Sequence, residues 1–224
     1  MGANGKMRLS SVLKHQEQAG EIHLSEDFGY DYNTIRKNGV VFVLINTSVK
    51  IHRMPRMAEN ISMKTWNKEL KGLKFFRGYN WYSKDGELLI ESISAFVLVS
   101  ANEHKIVKPV ALGFELPEET DRETSLQNPS KTHIPQEMDL IGEKRVSFSM
   151  LDINNHLNNA LYADLLVDFI TMEQALNLKQ ITLDYVKEAV FEDTIKIYSK
   201  TIDNVIYLKG EVNGEICFRA SITI

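Results

Sequence analysis

Between residues 158 and 173 the chain offers a helical pattern with almost no polar side. Leu161, Leu165, Leu166, Val167, Phe169, Ile170 and Met172 cover most of the circumference of such a helix, and Asp164 and Asp168, one turn apart, leave a narrow polar stripe. A helix that is apolar nearly all round must be buried. The rest of the chain reads mainly as strands. Asp85-Gly86, between FFRGYNWYS and ELLIESISAFVLVS, and Asn213-Gly214, between VIYLKGEV and EICFRASITI, are two-residue hairpin signals. Alternating or β-rich runs also fall near 41–53, 58–67, 144–149, 179–188 and 193–202. In a chain so rich in antiparallel strands, the economical burial is a sheet wrapped around the helix. A further helix is predicted over about 7–24.

The unit occurs twice. GANGKMRLSSVLKHQ (2–16) lines up with DINNHLNNALYADLL (152–166), Asn4 against Asn154, an offset of 150 (154 less 4). SVKIHRMPRMAENISM (48–63) lines up with TLDYVKEAVFEDTIKI (182–197), Ile61 against Ile195, an offset of 134 (195 less 61). The first copy therefore holds 16 extra residues (150 less 134) after its helix, including DFGYDYNTIRKNG. The strand EKRVSFSM that leads into the second copy has no counterpart before the first, because the chain begins at Met1; the first unit is expected to lack that strand. Residues 103–142, with Pro109, Pro117, Pro129, Pro135 and many acids, read as a linker crossing a surface. The expected division is 1–102, 103–142 and 143–224, with the two units packed as a pseudo-dimer.

Composition limits the partners. A net charge of −4 excludes the strongly basic surface of a general nucleic-acid binder. No apolar run reaches the roughly 18 residues that span a bilayer, and MGANGKMRL lacks the apolar core of a signal peptide. No membrane insertion and a cytoplasmic location are expected. Cys217, in the apolar setting EICFRASITI, reads as a buried, inert thiol, and one cysteine makes neither an intrachain disulfide nor a Cys-based zinc site. No phosphate loop, nucleotide motif or metal cluster stands out, and no cofactor is expected.

The residues suited to chemistry stand directly before the second helix. LDINNHLNNALY (151–162) crowds four Asn, an Asp and a His ahead of an apolar run, where a helix cap needs only one of them. Asp152, Asn154 and His156 alternate, and in an extended loop such residues share a face. The helix N-terminus offers N–H donors and a positive dipole end, suited to a developing oxyanion. A carboxylate base beside it would add general-base catalysis. The same residues also read as structure alone: Asn158 or Asn159 as the cap, Asp152 as a turn residue, His156 as a local hydrogen-bonding group.

DINNHLNNALYADLLVDF resembles the D-x-N-x-H-x-N-N-x-x-Y signature of the acyl-acyl-carrier-protein thioesterases, double hot-dog enzymes of plant plastids and many bacteria. LDYVKEAVFEDTI is similar to the family's strand with a Glu after a basic pair, although only Lys187 is basic here. KIHRMPRMAENISMKTW and YSKDGELLIESISAFVLVS resemble segments of its first half. The resemblance runs from about residue 4 to 224. It implies an α+β tandem hot-dog, in which antiparallel sheets each wrap around a long helix, and hydrolysis of the thioester of fatty acyl-acyl carrier protein (ACP).

By position, Asp152, Asn154, His156 and Glu188 match the family's catalytic group. The resemblance implies Glu188 as the base acting on water, His156 and Asn154 as holders of water and thioester, and Asp152 as the residue that orients its neighbours. Some plant members have Cys after this Glu; here the position is Ala189, which leaves water attack. Strict strand alternation would turn Glu188 away from the face of Leu183 and Tyr185, so a bulge must re-aim it. The first copy has Lys6 and Met54 in place of His156 and Glu188 and should be catalytically dead. Its helix, with Leu9, Val12, Leu13, Gln16 and His23, would wall an acyl pocket. Eight basic residues from Lys50 to Arg77, against Glu59 and Glu69, read as a solvated face or as a patch steering an acidic carrier protein, with Lys68, Lys71 and Lys74 at its centre. An acyl-CoA thioesterase and a non-catalytic acyl-binding module are the alternative readings, and the protein is expected to be a monomer or homodimer.

Overall fold

The two predicted units meet through one pair of strands. In the computed structural model, which describes residues 1–2 and 5–224, β1 (Val40–Ile51) pairs antiparallel with β6 (Gln180–Tyr185). Ser48 lies opposite Thr182, its own counterpart at the 134-residue offset, and the hydroxyls stand 3.2 Å apart. On either side, Asn46 faces Asp184 and Lys50 faces Gln180, pairs that the repeat exchanges. A pseudo-two-fold axis therefore passes through the seam, as in a symmetric dimer. Asn4 lies outside the described residues.

Among the described residues, one continuous nine-stranded antiparallel sheet runs around this seam. The first unit supplies β2 (Ile61–Lys71), β3 (Lys74–Ser83), β4 (Leu88–Ser100) and β1, in that spatial order. The second supplies β6, β9 (Glu215–Thr223), β8 (Val205–Val212), β7 (Thr194–Ile202) and β5 (Asp139–Arg145). The β5 position has no first-unit counterpart among the described residues. Both Asn-Gly and Asp-Gly hairpins form where predicted, since Asn213 and Gly86 take the positive φ that their turns require. Two further hairpins, at Gly72 between the strands 61–71 and 74–83 and at Asp203 between those at 194–202 and 205–212, were not among the predicted turns.

α1 (Leu9–Glu26) crosses the first unit and buries Leu9, Val12, Leu13, Gln16 and Gly20. The predicted 158–173 helix is interrupted. α3 (Leu161–Asp168) stops at Phe169, and α4 (Met172–Leu176) starts afresh at Thr171. The cause is local: Thr171 Oγ1 accepts the Gln174 N–H (3.2 Å) and Gln174 Oε1 accepts the Thr171 N–H (2.9 Å), a capping box that competes with continued helix. Tyr162, Ala163, Leu165 and Leu166 enter the core, while Met172 is 80% exposed. β5 also departs from its predicted place at 144–149. It ends at Arg145, and Phe148–Met150 forms a 3-10 turn that leads into the Asn-rich loop.

α2 (Tyr32–Lys37) is built from the first copy's extra residues and is capped by Asp31, which accepts the Thr34 N–H at 2.7 Å. The 103–142 segment crosses the sheet, pinned by buried acids. Glu91 accepts from the Ser125 N–H and Oγ (both 2.7 Å), and Asp184 from the Thr132 N–H (2.6 Å) and Oγ1 (3.1 Å). No helix among the described residues is long and apolar enough to cross a membrane.

Candidate active site

Asp152 organises the Asn-rich loop. Its Oδ1 accepts the N–H groups of Asn154 (2.8 Å) and His156 (3.1 Å), and the Asp152 N–H donates to His156 O (2.8 Å). Asn155 takes φ 64°, a left-handed conformation that Asn tolerates. The segment is thus a closed turn rather than the extended loop anticipated. Asp152 turns its carboxylate onto the backbone, Asn154 stays exposed on the rim, and the His156 ring faces the neighbouring strand end.

That strand end supplies Glu188. β6 stops at Tyr185, and the next two N–H groups, of Val186 and Lys187, both donate to Cys217 O at 2.9 and 3.1 Å. Two successive donors on one carbonyl mark the bulge that strand alternation required. The chain then passes beside the loop, where Ala189 O accepts the Leu157 N–H at 2.8 Å and His156 bridges to Val190. Glu188 Oε2 stands 3.2 Å from His156 Nε2, with side chains 66% and 31% exposed. A base and an imidazole are therefore in contact at a surface that water reaches.

The first copy repeats this backbone without the His–Glu pair. His52 and Arg53 N–H both donate to Leu89 O (2.9 and 3.1 Å), the Met7 N–H donates to Pro55 O (2.8 Å), and Lys6 bridges to Arg56. The bulge and bridge are thus properties of the fold. Met54 falls at the place of Glu188.

The α3 entrance differs from expectation. The Ala160 and Leu161 N–H groups donate to Asn158 Oδ1 (3.0 Å) and O (2.9 Å), and the Ala163 N–H to Ala160 O (3.2 Å). Asn158 thus closes a turn ahead of the helix, whose N-cap position, Ala160, has no side-chain cap, and these three donors are already occupied. Tyr185 Oη donates to Asn159 O at 3.0 Å and holds the loop against the sheet.

Asp152, Asn154, His156 and Glu188 line a cavity of about 1320 Å³ that continues along α1 into the first unit. Glu17 of α1 lies on this wall; desolvation, then the charges of Glu21 and Asp152, hold its carboxyl above the usual range. Glu17 is nonetheless exposed at the cavity wall, as an acid on an amphipathic helix is expected to be. Sequence reading placed Arg77 in the basic run, yet Arg77 is buried in the cavity wall. Arg53 is occupied by Glu59 and Glu87, and Lys68 by Glu69 and Asn128, so the run forms no single free face. Cys217 is buried, and desolvation pushes its thiol up to about 12, unsuited to nucleophilic attack at neutral pH.

Two sequence profiles match this chain: "Acyl-ACP thioesterase N-terminal domain" over residues 1–111 and "Acyl-ACP thioesterase C-terminal domain" over residues 133–223. The chain belongs to the acyl-ACP thioesterase family. Among family relatives, the chloroplastic oleoyl-acyl carrier protein thioesterase 1 of Arabidopsis thaliana is 24% identical over 237 residues, covering 96% of this chain and 63% of its own length. The chain thus spans somewhat under two thirds of the length of the curated relatives it matches. An acyl-ACP thioesterase structure from Bacteroides thetaiotaomicron superposes with a TM-score of 0.91 at 21% identity, covering 100% of this chain and 92% of that one. The 12:0-ACP thioesterase of Umbellularia californica superposes with a TM-score of 0.76 at 18% identity, with coverage of 100% and 92%. These likenesses agree with the tandem hot-dog architecture described above.

Proposed function

We propose that the chain hydrolyses the thioester of a fatty acyl-ACP, releasing free fatty acid. The observation that carries the reading is the His156–Glu188 contact at 3.2 Å, formed across two separate segments in a chain of the acyl-ACP thioesterase family. Glu188 takes a proton from water as the water oxygen attacks the thioester carbon. The tetrahedral intermediate then collapses with cleavage of the C–S bond, and the carrier's thiolate recovers the proton. His156 and Asn154 hold water and thioester, and Asp152 keeps the loop in the shape that presents them. General-base assistance of this kind is worth roughly 10²–10⁴ in rate.

In this reading the first unit (1–102) walls the acyl chain, and the linker predicted over 103–142 ends where β5 opens the catalytic second unit at Asp139. The protein acts in the cytoplasm, as monomer or homodimer, with an acyl-loaded carrier protein as partner. Measuring kcat/KM for one acyl chain on ACP and on CoA tests the carrier. The ACP thioester is expected to be the better substrate, and an equal or higher value on CoA would make the protein an acyl-CoA thioesterase instead.

A further inference from the structure

The pseudo-symmetry allows the two units to be compared residue by residue across the face that meets the helices. One row of the first unit runs Arg77, Ser94, Thr47; the matching row of the second runs Ile206, Ile222, Ile181. In the next row Tyr79 and Ser92 stand where the second unit has Leu208 and Ala220. The same fold closes over aliphatic residues at these places, so the polar set of the first unit answers no requirement of the fold.

The polar set is buried and only partly satisfied. Arg77 is 6% exposed and donates to His23 Nδ1 (2.8 Å), Thr65 Oγ1 (3.2 Å) and Asn67 Oδ1 (2.6 Å). No carboxylate is within ion-pair distance of it among the described residues; Glu119 reaches it only through His23, at 3.4 Å. Gln16, 2% exposed, and Asn67, 8% exposed, each keep a side-chain amide nitrogen with no partner among the described residues. Gly20 leaves room for the group, since a Cβ there would stand 3.3 Å from Tyr79 Oη and 3.4 Å from Arg77 Cδ. An unmet buried donor is costly to the fold unless a ligand satisfies it. These residues line the same cavity as His156 and Glu188.

We propose that the first-unit part of this cavity binds an oxygen function on the acyl chain, a hydroxyl or a carboxylate, received among Gln16, Asn67, Arg77 and Tyr79. The proposal rests on the acyl-thioester reading above. The oxygen lies away from the reacting carbonyl. Glu17 is the α1 residue coupled to Asp152, and Gly20 and His23 lie roughly 5–9 Å further along the helix, several carbon atoms down the chain.

The test uses acyl-ACP substrates of one chain length: unsubstituted, hydroxylated at successive carbons from the distal end, or ending in a carboxylate. The expected result is a kcat/KM at least tenfold higher for one oxygenated member than for the plain chain. That preference should collapse in Tyr79→Leu and in Gln16→Leu, which copy the aliphatic character of the second unit and leave the Arg77–His23 contact in place. A plain chain that matches or exceeds every oxygenated member in the unaltered protein overturns the proposal. If no member is hydrolysed, the hydrolase reading fails by itself. Calorimetric binding of the corresponding free acids then decides the cavity, with tenfold tighter binding of an oxygenated acid supporting it and equal binding overturning it.

Discussion

Asp152 does its work through the backbone: one carboxylate oxygen receives two N–H groups and closes the turn that carries His156. It is a positioning residue. Asp152→Ala is expected to lose about 1–3 kcal/mol in chemical denaturation, as the two donors lose their acceptor, and kcat should fall with it. Asp152→Asn keeps an acceptor oxygen and should retain most of both. An Asn variant of full stability but Ala-like activity would mean that the charge acts on the reaction directly. His156 and Glu188 were picked out in the sequence by their places in the family motif, the repeat adding that Lys6 and Met54 stand in the first copy instead; their 3.2 Å contact is what the structure adds. Arg77 was hidden for a physical reason: alternation puts it on one face of β3 with Phe75, Tyr79 and Trp81, but an arginine is rarely buried, so its charge grouped it with the basic run.

The clearest difference between pattern and structure, at the scale of elements, is the break between α3 and α4. The apolar residues from Leu161 to Met172 repeat with helical spacing, and nothing in that period records the competition from the Thr171–Gln174 capping box. Thr171→Ala should cost about 1 kcal/mol, read as a lower melting temperature. If the variant is as stable as the parent, the cap does not cause the interruption. The Glu188 bulge, by contrast, follows from strand alternation alone, and its twin at His52 and Arg53 shows that the fold itself produces it. Where the loop was expected to be extended, the Asp152 carboxylate closed it.

Across the whole molecule, the repeat predicted a pseudo-dimer, and the Ser48–Thr182 seam places its axis within one continuous sheet. What composition did not reveal is how firmly residues 103–142 are held, because the acids that hold them, Glu91 and Asp184, belong to strands and look unremarkable in sequence. Burial pushes Glu91 up, but hydrogen bonds from Ser125, His52 and Thr124 outweigh it and hold the carboxyl at about 2, below its ordinary 4.5. The stabilisation from Glu91 is therefore complete above about pH 4.5 and lost as the pH falls toward 2. Glu91→Gln should flatten the dependence of melting temperature on pH in that window, and an unchanged slope would contradict the assignment. Asp184 has the opposite sign. Burial leads over its Thr132 hydrogen bonds and raises its pKa, so its contribution weakens as the pH rises through that value.

The central claim is that Glu188 and His156 together activate water against an acyl-ACP thioester, and steady-state release of free fatty acid tests it most directly. Glu188→Ala and His156→Ala are each expected to reduce kcat by at least roughly 10², with a melting temperature within a degree or two of the parent. Release at the parent's rate by either folded variant would contradict the account.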